Sequence, residues 1–286
     1  MNTYLDRILE HKREEVARQK VKVPQAEVER RMQAAPPPRP FGAALRHSER
    51  AALIAEIKKQ SPSKGLLMPH FDPIKLAQTY MEHGADAISV LTDVRFFGGS
   101  LQYLKQIREL QARADHDHQR RSQAQLPIPL LRKDFILDPY QIYEARAYGA
   151  DALLLIVAAL DDALLRDLLN LTEELGMEAL VEVHDEAEHD RALGAGATVV
   201  GVNNRDLRSF EVDLATTERI AARLAACGCE RPVLVGESGI HTAAHVERLR
   251  GHGVDAILVG ESIVTAADIA AKVRELSRTS KAQAAS

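Results

Sequence analysis

Tryptophan is absent from this 286-residue chain and cysteine occurs only twice, as Cys227 and Cys229 on either side of Gly228. That spacing is neither a disulfide framework nor the C-x-x-C redox pattern, so the thiols read as inert. No apolar run approaches the roughly 18 residues needed to cross a bilayer. The segment from Met1 to Lys20 is dense in Arg, Lys and Glu rather than built like a secretory leader, which predicts a soluble, cytoplasmic protein without a membrane partner. Charge of one sign is also lacking. A formal net charge of −4 excludes an overall basic nucleic-acid binder, so an anionic ligand would need a local basic site. Hydrophobic residues at 45% and charged residues at 27% exclude a disordered chain and leave length for one large α/β barrel or two average domains.

What is present is a repeat. From residue 51 onward, short β-branched runs alternate with longer helical stretches eight times, the pattern of a parallel sheet. The expected strands are Ala52–Lys58, Ala87–Thr92, Pro129–Lys133, Ala152–Val157, Glu178–Glu182, Thr198–Asn203, Val233–Glu237 and Ala256–Val259. Three helix-to-strand joints share one punctuation, Gly84-Ala85-Asp86-Ala87, Gly149-Ala150-Asp151-Ala152 and Gly253-Val254-Asp255-Ala256. Their glycines suit the left-handed helix C-cap, as does Gly194-Ala195-Gly196-Ala197 before the sixth strand. Eight units of about 25 residues predict a TIM (β/α)8 barrel over 51–286 rather than an open doubly wound sheet. Residues 1–50 lie outside this count. Leu5, Ile8, Leu9 and Val16 have helical spacing and Glu27–Gln33 continues it until the proline run at 36–40, so an N-terminal helical extension is expected, either near the barrel mouth or along its side. A polar segment at 112–125 is expected as a loop on the face opposite any active site. Its His116 and His118 lack a third ligand, so no metal site is expected.

The inward positions at the strand ends are polar. Side chains two residues apart share a face of a strand, so Glu56 and Lys58 follow Ile54, Lys133 follows Leu131, Glu182 follows Leu180, Asn203 and Arg205 follow Gly201, and Glu237 follows Val235. Glu56 and Lys58 by themselves read equally well as an ordinary ion pair. A ring of two lysines and three carboxylates from five strands instead points to catalysis or ligand binding, because each buried charge costs several kcal/mol to desolvate alone. Two glycine-containing turns follow the last strands, Gly236-Glu237-Ser238-Gly239-Ile240 and Val259-Gly260-Glu261-Ser262. Their backbone N–H groups predict a grip on a phosphorylated small molecule, with Ser61 and Ser63 reaching from the first loop. Gly65 in that loop suggests a hinge.

The segment Ala55-Glu56-Ile57-Lys58-Lys59-Gln60-Ser61-Pro62-Ser63 closely resembles the signature of the indole-3-glycerol-phosphate synthases of tryptophan biosynthesis. Further blocks follow in the family's order: Leu91-Thr92-Asp93 with Phe96-Phe97-Gly98-Gly99-Ser100, Lys133-Asp134-Phe135-Ile136, Val181-Glu182-Val183-His184-Asp185-Glu186, Val202-Asn203-Asn204-Arg205-Asp206-Leu207 and Gly236-Glu237-Ser238-Gly239-Ile240. Together they span about residues 50–265.

The resemblance implies a carboxy-lyase that closes 1-(2-carboxyphenylamino)-1-deoxyribulose 5-phosphate to indole-3-glycerol phosphate, with loss of carbon dioxide and water and without cofactor or metal. It implies Lys133 as general acid toward the carbonyl oxygen and Glu182 as general base in the final aromatisation. Lys58 would hold the substrate carboxylate, Glu56 would orient Lys58, Asn203 would bond the sugar portion, and Glu237 would complete the ring beside Arg205. Lys58 and Lys133 both stay open as first proton donor, and a second ammonium nearby is expected to lower a lysine's pKa into the useful range. Phe97, Phe135 and Leu154 would wall the anthranilate ring. Ser61, Ser238, Gly239, Gly260 and Glu261 would hold the phosphate, Glu261 through its N–H because some relatives carry Ser there. The length implies a monofunctional enzyme, expected as a monomer or weak homo-oligomer. A phosphoribosyl isomerase and a barrel that has lost catalysis are the other readings.

Overall fold

Eight parallel strands close into a barrel in the computed structural model, which describes residues 3–118, 128–206, 211–227 and 231–277. They are β1 (Ala52–Ile57), β2 (Ala87–Leu91), β3 (Leu130–Lys133), β4 (Ala152–Ile156), β5 (Glu178–Val183), β6 (Val199–Asn203), β7 (Val233–Glu237) and β8 (Ala256–Val259). Neighbours in sequence are neighbours in the sheet, and β8 returns to β1 with Ala52 opposite Ala256. All eight expected strands are present with ends shifted by a residue or so. Pro129 falls outside β3 because it has no N–H to give, though its carbonyl still accepts from Ile88 at 3.0 Å. Beyond the end of β1 the chain reverses around Pro62: Gln60–Ser61 pairs antiparallel with Gly65–Leu66, and Gly65 turns the chain at φ 68°.

Strand alternation builds two cores. Ala52, Ile54, Leu131, Leu154, Leu180, Val199 and Val235 face inward and fill the barrel. Leu53, Ala55, Ile57, Leu153, Val181 and Val200 face outward under the surrounding helices. The repeated joint uses its aspartate as well as its glycine. Gly84, Gly149 and Gly253 all have positive φ. Asp86, Asp151 and Asp255 then accept the backbone N–H of Leu53, Leu130 and Leu234 on the preceding strand at 2.7–2.8 Å. Each aspartate also meets an arginine, Arg50, Arg108 and Arg231 respectively. One short motif thus ends a helix, registers two strands and satisfies a strand-end donor.

The N-terminal segment runs the height of the barrel, so mouth and side are both covered. Its first helix, α1 (Tyr4–Lys22), starts at a capping box between Thr3 and Asp6 and buries Ile8, Leu9 and Val16. Its second, α2 (Gln25–Gln33), packs on the helix Pro139–Ala147, with Val28 among Val16 and Tyr140. The short α3 (Phe41–Ala44) closes the floor, where Phe41 and Leu45 join the barrel interior. Glu178 holds α3 there by accepting from the N–H groups of Phe41 at 2.5 Å and Gly42 at 3.0 Å. Where 112–125 was expected as a loop, the helix Leu101–His118 continues through residue 118. The rest of that segment and Cys229 lie outside the described residues, as do the side chains of His116, His118 and Cys227.

Lys12 interrupts the apolar stripe of α1. It is fully buried, and its Nζ lies 2.9 Å from each of Glu15, Asp93 and Asp134. Burial pushes the ammonium down, but the three carboxylates outweigh it and the net shift is upward. Asp134 also accepts from Thr92 Oγ1 at 2.6 Å and faces Arg132 at 3.2 Å. Against its own burial, Lys12 and Arg132 bring its pKa down to about 2. The buried cluster ties α1 to the ends of β2 and β3, directly behind Lys133.

Candidate active site

A cavity of about 370 Å³ opens at the C-terminal ends of the strands, and every site residue singled out from the sequence lines it. β3, β5 and β7 aim three charges at one point. Lys133 Nζ lies 2.8 Å from Glu182 Oε2 and 2.8 Å from Glu237 Oε2. Asn203 Nδ2 donates to the other Glu182 oxygen at 3.1 Å, and Asn203 Oδ1 accepts from Ser238 Oγ at 2.8 Å and the Arg205 N–H at 3.1 Å. From β1 and the loop beyond it, Glu56 and Lys58 pair at 3.3 Å, with Lys58 Nζ 5.6 Å from the centre of the Phe97 ring.

The pKa of Lys133 is raised. Burial works downward, but Glu182, Glu237 and Glu56 more than offset it. The same contacts split the two carboxylates. Burial pushes Glu182 up, and Lys133 with His184 bring it well below the usual range. Glu237 is pushed above that range by burial and by the charges of Glu182 and Glu56, which Lys133 only partly counters. The site therefore holds an ammonium, a firmly ionised carboxylate and a carboxyl ready to carry a proton within one network.

One wall of the cavity is apolar. Phe97 and Phe135 lie with ring centroids 6.1 Å apart, and Leu154 reaches in from β4. At the opposite end lie the turns after β7 and β8. Ser238 has φ 64°, the single non-glycine residue in the left-handed region among the described residues, and Gly239 follows at φ 76°. Asn204 fastens this turn by donating to the carbonyls of Glu237 at 2.9 Å and Ser238 at 3.2 Å. Gly260 passes so close to Glu56 that a Cβ would overlap its carboxylate. The Glu261 side chain is occupied by Lys64 Nζ at 2.6 Å. Burial raises the Glu261 pKa, and Lys64, Arg205 and Lys58 bring it down. Ser61 Oγ accepts from the Lys64 N–H at 3.3 Å.

Four features of the site escaped sequence reasoning. Tyr4, Leu5 and Ile8 of α1 line the cavity mouth, and Lys64 spans it to Glu261. Gly201, read only as a strand residue, leaves the space that Glu237 Oε1 occupies. His184 stands behind the ring, with Nε2 3.4 Å from Glu182 Oε1 and Nδ1 3.0 Å from Glu188 Oε2. The two-residue step from Leu180 to Glu182 leads on to His184, so the signal was available. Among the described residues no group of three His, Cys, Asp and Glu side chains is arranged to hold a metal ion, and no helix is long and apolar enough to cross a membrane.

Solved barrels of low sequence identity share the architecture. A 3-hexulose-6-phosphate synthase matches with a TM-score of 0.58 at 16% identity, over 80% of this chain and 99% of that one. Thiamine phosphate pyrophosphorylase from Pyrococcus furiosus matches at 0.56 and 18%, over 80% and 94%. Both speak to fold alone. Sequence relatives are far nearer. The indole-3-glycerol phosphate synthase of Roseiflexus sp. (strain RS-1) is 61% identical over 276 residues, covering 96% of this chain and 98% of the relative. That of Mycolicibacterium smegmatis is 48% identical over 96% of this chain and 93% of its own. The family model of indole-3-glycerol phosphate synthase matches residues 5–276, and with this arrangement of strands and side chains the chain belongs to that family.

Proposed function

We propose that the cavity performs the family's ring closure through Lys133 as general acid and Glu182 as general base. The observation that carries this reading is Lys133 Nζ held 2.8 Å from both Glu182 and Glu237. The chain is a carboxy-lyase, and its substrate is the phosphorylated 1-(2-carboxyphenylamino)-1-deoxyribulose 5-phosphate. The aryl carbon bearing the carboxylate attacks the ketone, and the C–C bond to that carboxylate breaks to release carbon dioxide and restore the aromatic ring. Two protons reach the former carbonyl oxygen, one to make it a hydroxyl and one to release it as water. One proton leaves the carbon next to nitrogen, and the product is the indole.

Each step has a matching group. Lys133, kept protonated by its carboxylates, donates to an oxygen that becomes more basic as attack proceeds. Glu182, kept ionised, takes the ring proton. Lys58, steered by Glu56, holds the substrate carboxylate before it leaves, and Asn203 bonds the sugar portion. Glu237 balances the charge of Lys133, and Arg205 fixes carboxylates at the mouth, Glu261 among them. Phe97, Phe135 and Leu154 flank the aromatic ring and keep water from the departing carboxylate. Ser61 with the backbone of Ser238, Gly239, Gly260 and Glu261 receives the phosphate, and Lys64 answers its charge. The enzyme acts in the cytoplasm as a monomer or weak homo-oligomer. Sedimentation of the protein at several concentrations tests the last point.

The test of the chemistry is indole fluorescence developing from the carboxyphenylamino-deoxyribulose phosphate without added metal or cofactor. The absence of tryptophan keeps the background low. A signal that disappears in Lys133→Ala supports the reading, and no signal from folded wild-type protein overturns it in favour of an isomerase or a non-catalytic barrel.

A further inference from the structure

His184 occupies a position that the chemistry above leaves unused. It follows β5 directly, and its ring bridges two carboxylates: Glu182 at 3.4 Å on the cavity side and Glu188 at 3.0 Å on the outer side. Glu188 is itself fixed. Its carboxylate accepts the His184 N–H at 2.8 Å, and its own N–H donates to Asp185, the N-cap of the helix Glu186–Ala195. The start of that helix therefore sets where His184 points. Around Glu182 the charged and polar neighbours are Lys133 from β3, Asn203 from β6 and His184, with Glu237 from β7 and Glu56 from β1 beyond Lys133.

Charge conservation shows what this arrangement does. The inner ring of Glu56, Glu182 and Glu237 against Lys58 and Lys133 carries one negative charge in excess when every group is ionised. Once Lys133 has given its proton to substrate, Glu182 loses its nearest cation while it must still act as a base. A neutral neighbour would leave the buried carboxylate to capture a proton prematurely. An imidazolium between two carboxylates supplies the missing charge. Burial pushes the His184 pKa down, but Glu182 and Glu188 raise it to about 10, so it is charged at neutral pH.

We propose that His184 is a positioning residue for the reaction, its imidazolium held by Glu188 so that Glu182 stays ionised and aimed into the cavity while Lys133 discharges. The proposal rests on the assignment of Lys133 and Glu182 above. It has a readout independent of turnover: in wild-type protein at pH 8, nitrogen NMR of His184 shows both ring nitrogens protonated, and a neutral tautomer there overturns it. In His184→Gln, which keeps a donor without the charge, the acid limb of the kcat profile moves up by about one pH unit. Turnover at any pH below the wild-type limb then falls about tenfold and converges on wild type about two units above it, with KM within twofold. Glu188→Gln leaves the ring in place and moves the same limb in the same direction by less, so the idea survives a His184 variant that does not fold. Profiles that superimpose on wild type, or a drop equal at every pH, overturn the proposal. If wild type itself gives no product, or Glu182→Gln turns over normally, the assignment of acid and base fails instead.

Discussion

Gly201 on β6 faces the Glu237 carboxylate from β7 so closely that a methyl group there would overlap Glu237 Oε1. The glycine is a space reserved for a side chain of the charged ring. Gly201→Ala is therefore expected to push Glu237 away from Lys133, lowering kcat at least tenfold and destabilising the barrel by about 1–3 kcal/mol through overpacking. Glu237→Ala in the same chain removes the overlap, so the stability cost in the double variant should be smaller than the sum of the single costs. Thermal melts of the four proteins in that cycle check this. A Gly201→Ala protein with wild-type melting and turnover would show that the contact does not matter.

Lys12 offers a test of how α1 is held over the mouth. Replacing it with methionine leaves Asp93 buried without its cation and Asp134 with Arg132 alone, a change expected to cost about 3–5 kcal/mol. Asp134 also sets an acid limit in the native protein. Its pKa falls from the ordinary 3.8 to about 2 on folding, so its contribution is fully present above pH 4 and is lost as pH drops toward 2. Urea midpoints between pH 2 and pH 7 should show this slope in wild type and a weaker one in Lys12→Met. Equal slopes would place the acid sensitivity elsewhere.

The contact between Lys64 and Glu261 joins the first βα loop to the turn after β8, and the Lys64 side chain is 57% exposed. An ion pair that open contributes at most about 1 kcal/mol, so it is a latch rather than a stabiliser. Trypsin should cut after Lys64 faster in Glu261→Ser, while inorganic phosphate or substrate should slow cutting in both proteins. Lys64→Ala should leave the melting temperature unchanged and raise KM severalfold, more so at low ionic strength. A KM unaffected by the substitution would remove Lys64 from phosphate recognition.

The sequence made the barrel and its inward charges legible for different reasons. Strands showed themselves through two-residue alternation and the Gly-x-Asp-Ala joints, and the same alternation carried Leu131 to Lys133 and Leu180 to Glu182. Three kinds of information stayed hidden. A helical stripe in α1 indicates a buried face but not its partner, so the route from mouth to floor was open. Lys12 looks like a surface charge until Asp93 and Asp134, far along the chain, are brought to it. The upward shift of Lys133 stayed hidden because it depends on the distances to Glu182 and Glu237, which only the fold supplies.

Those distances lead to the last expectation. Removing the ammonium in Lys133→Met leaves Glu182 and Glu237 facing one another in a buried site with no cation between them. Like charges and desolvation then raise the folded-state pKa of Glu237 still further above the unfolded one, while His184 keeps Glu182 ionised, so the folded protein binds more protons than the unfolded chain near neutrality. A group with a raised folded pKa favours folding when protonated and loses that advantage as pH rises. Lys133→Met should consequently be more stable at pH 5 than at pH 8. The wild type should show the same dependence more weakly, because Lys133 partly counters the upward shift of Glu237, and the downward shift of Glu182 acts only below its unfolded pKa. Turnover should fall at least a thousandfold, since the acid is gone. Melting temperatures across that range, measured beside activity, separate the two effects. A variant that is inactive yet shows the wild-type pH dependence of stability would mean that Lys133 supplies the proton but does not hold the carboxylates apart in charge.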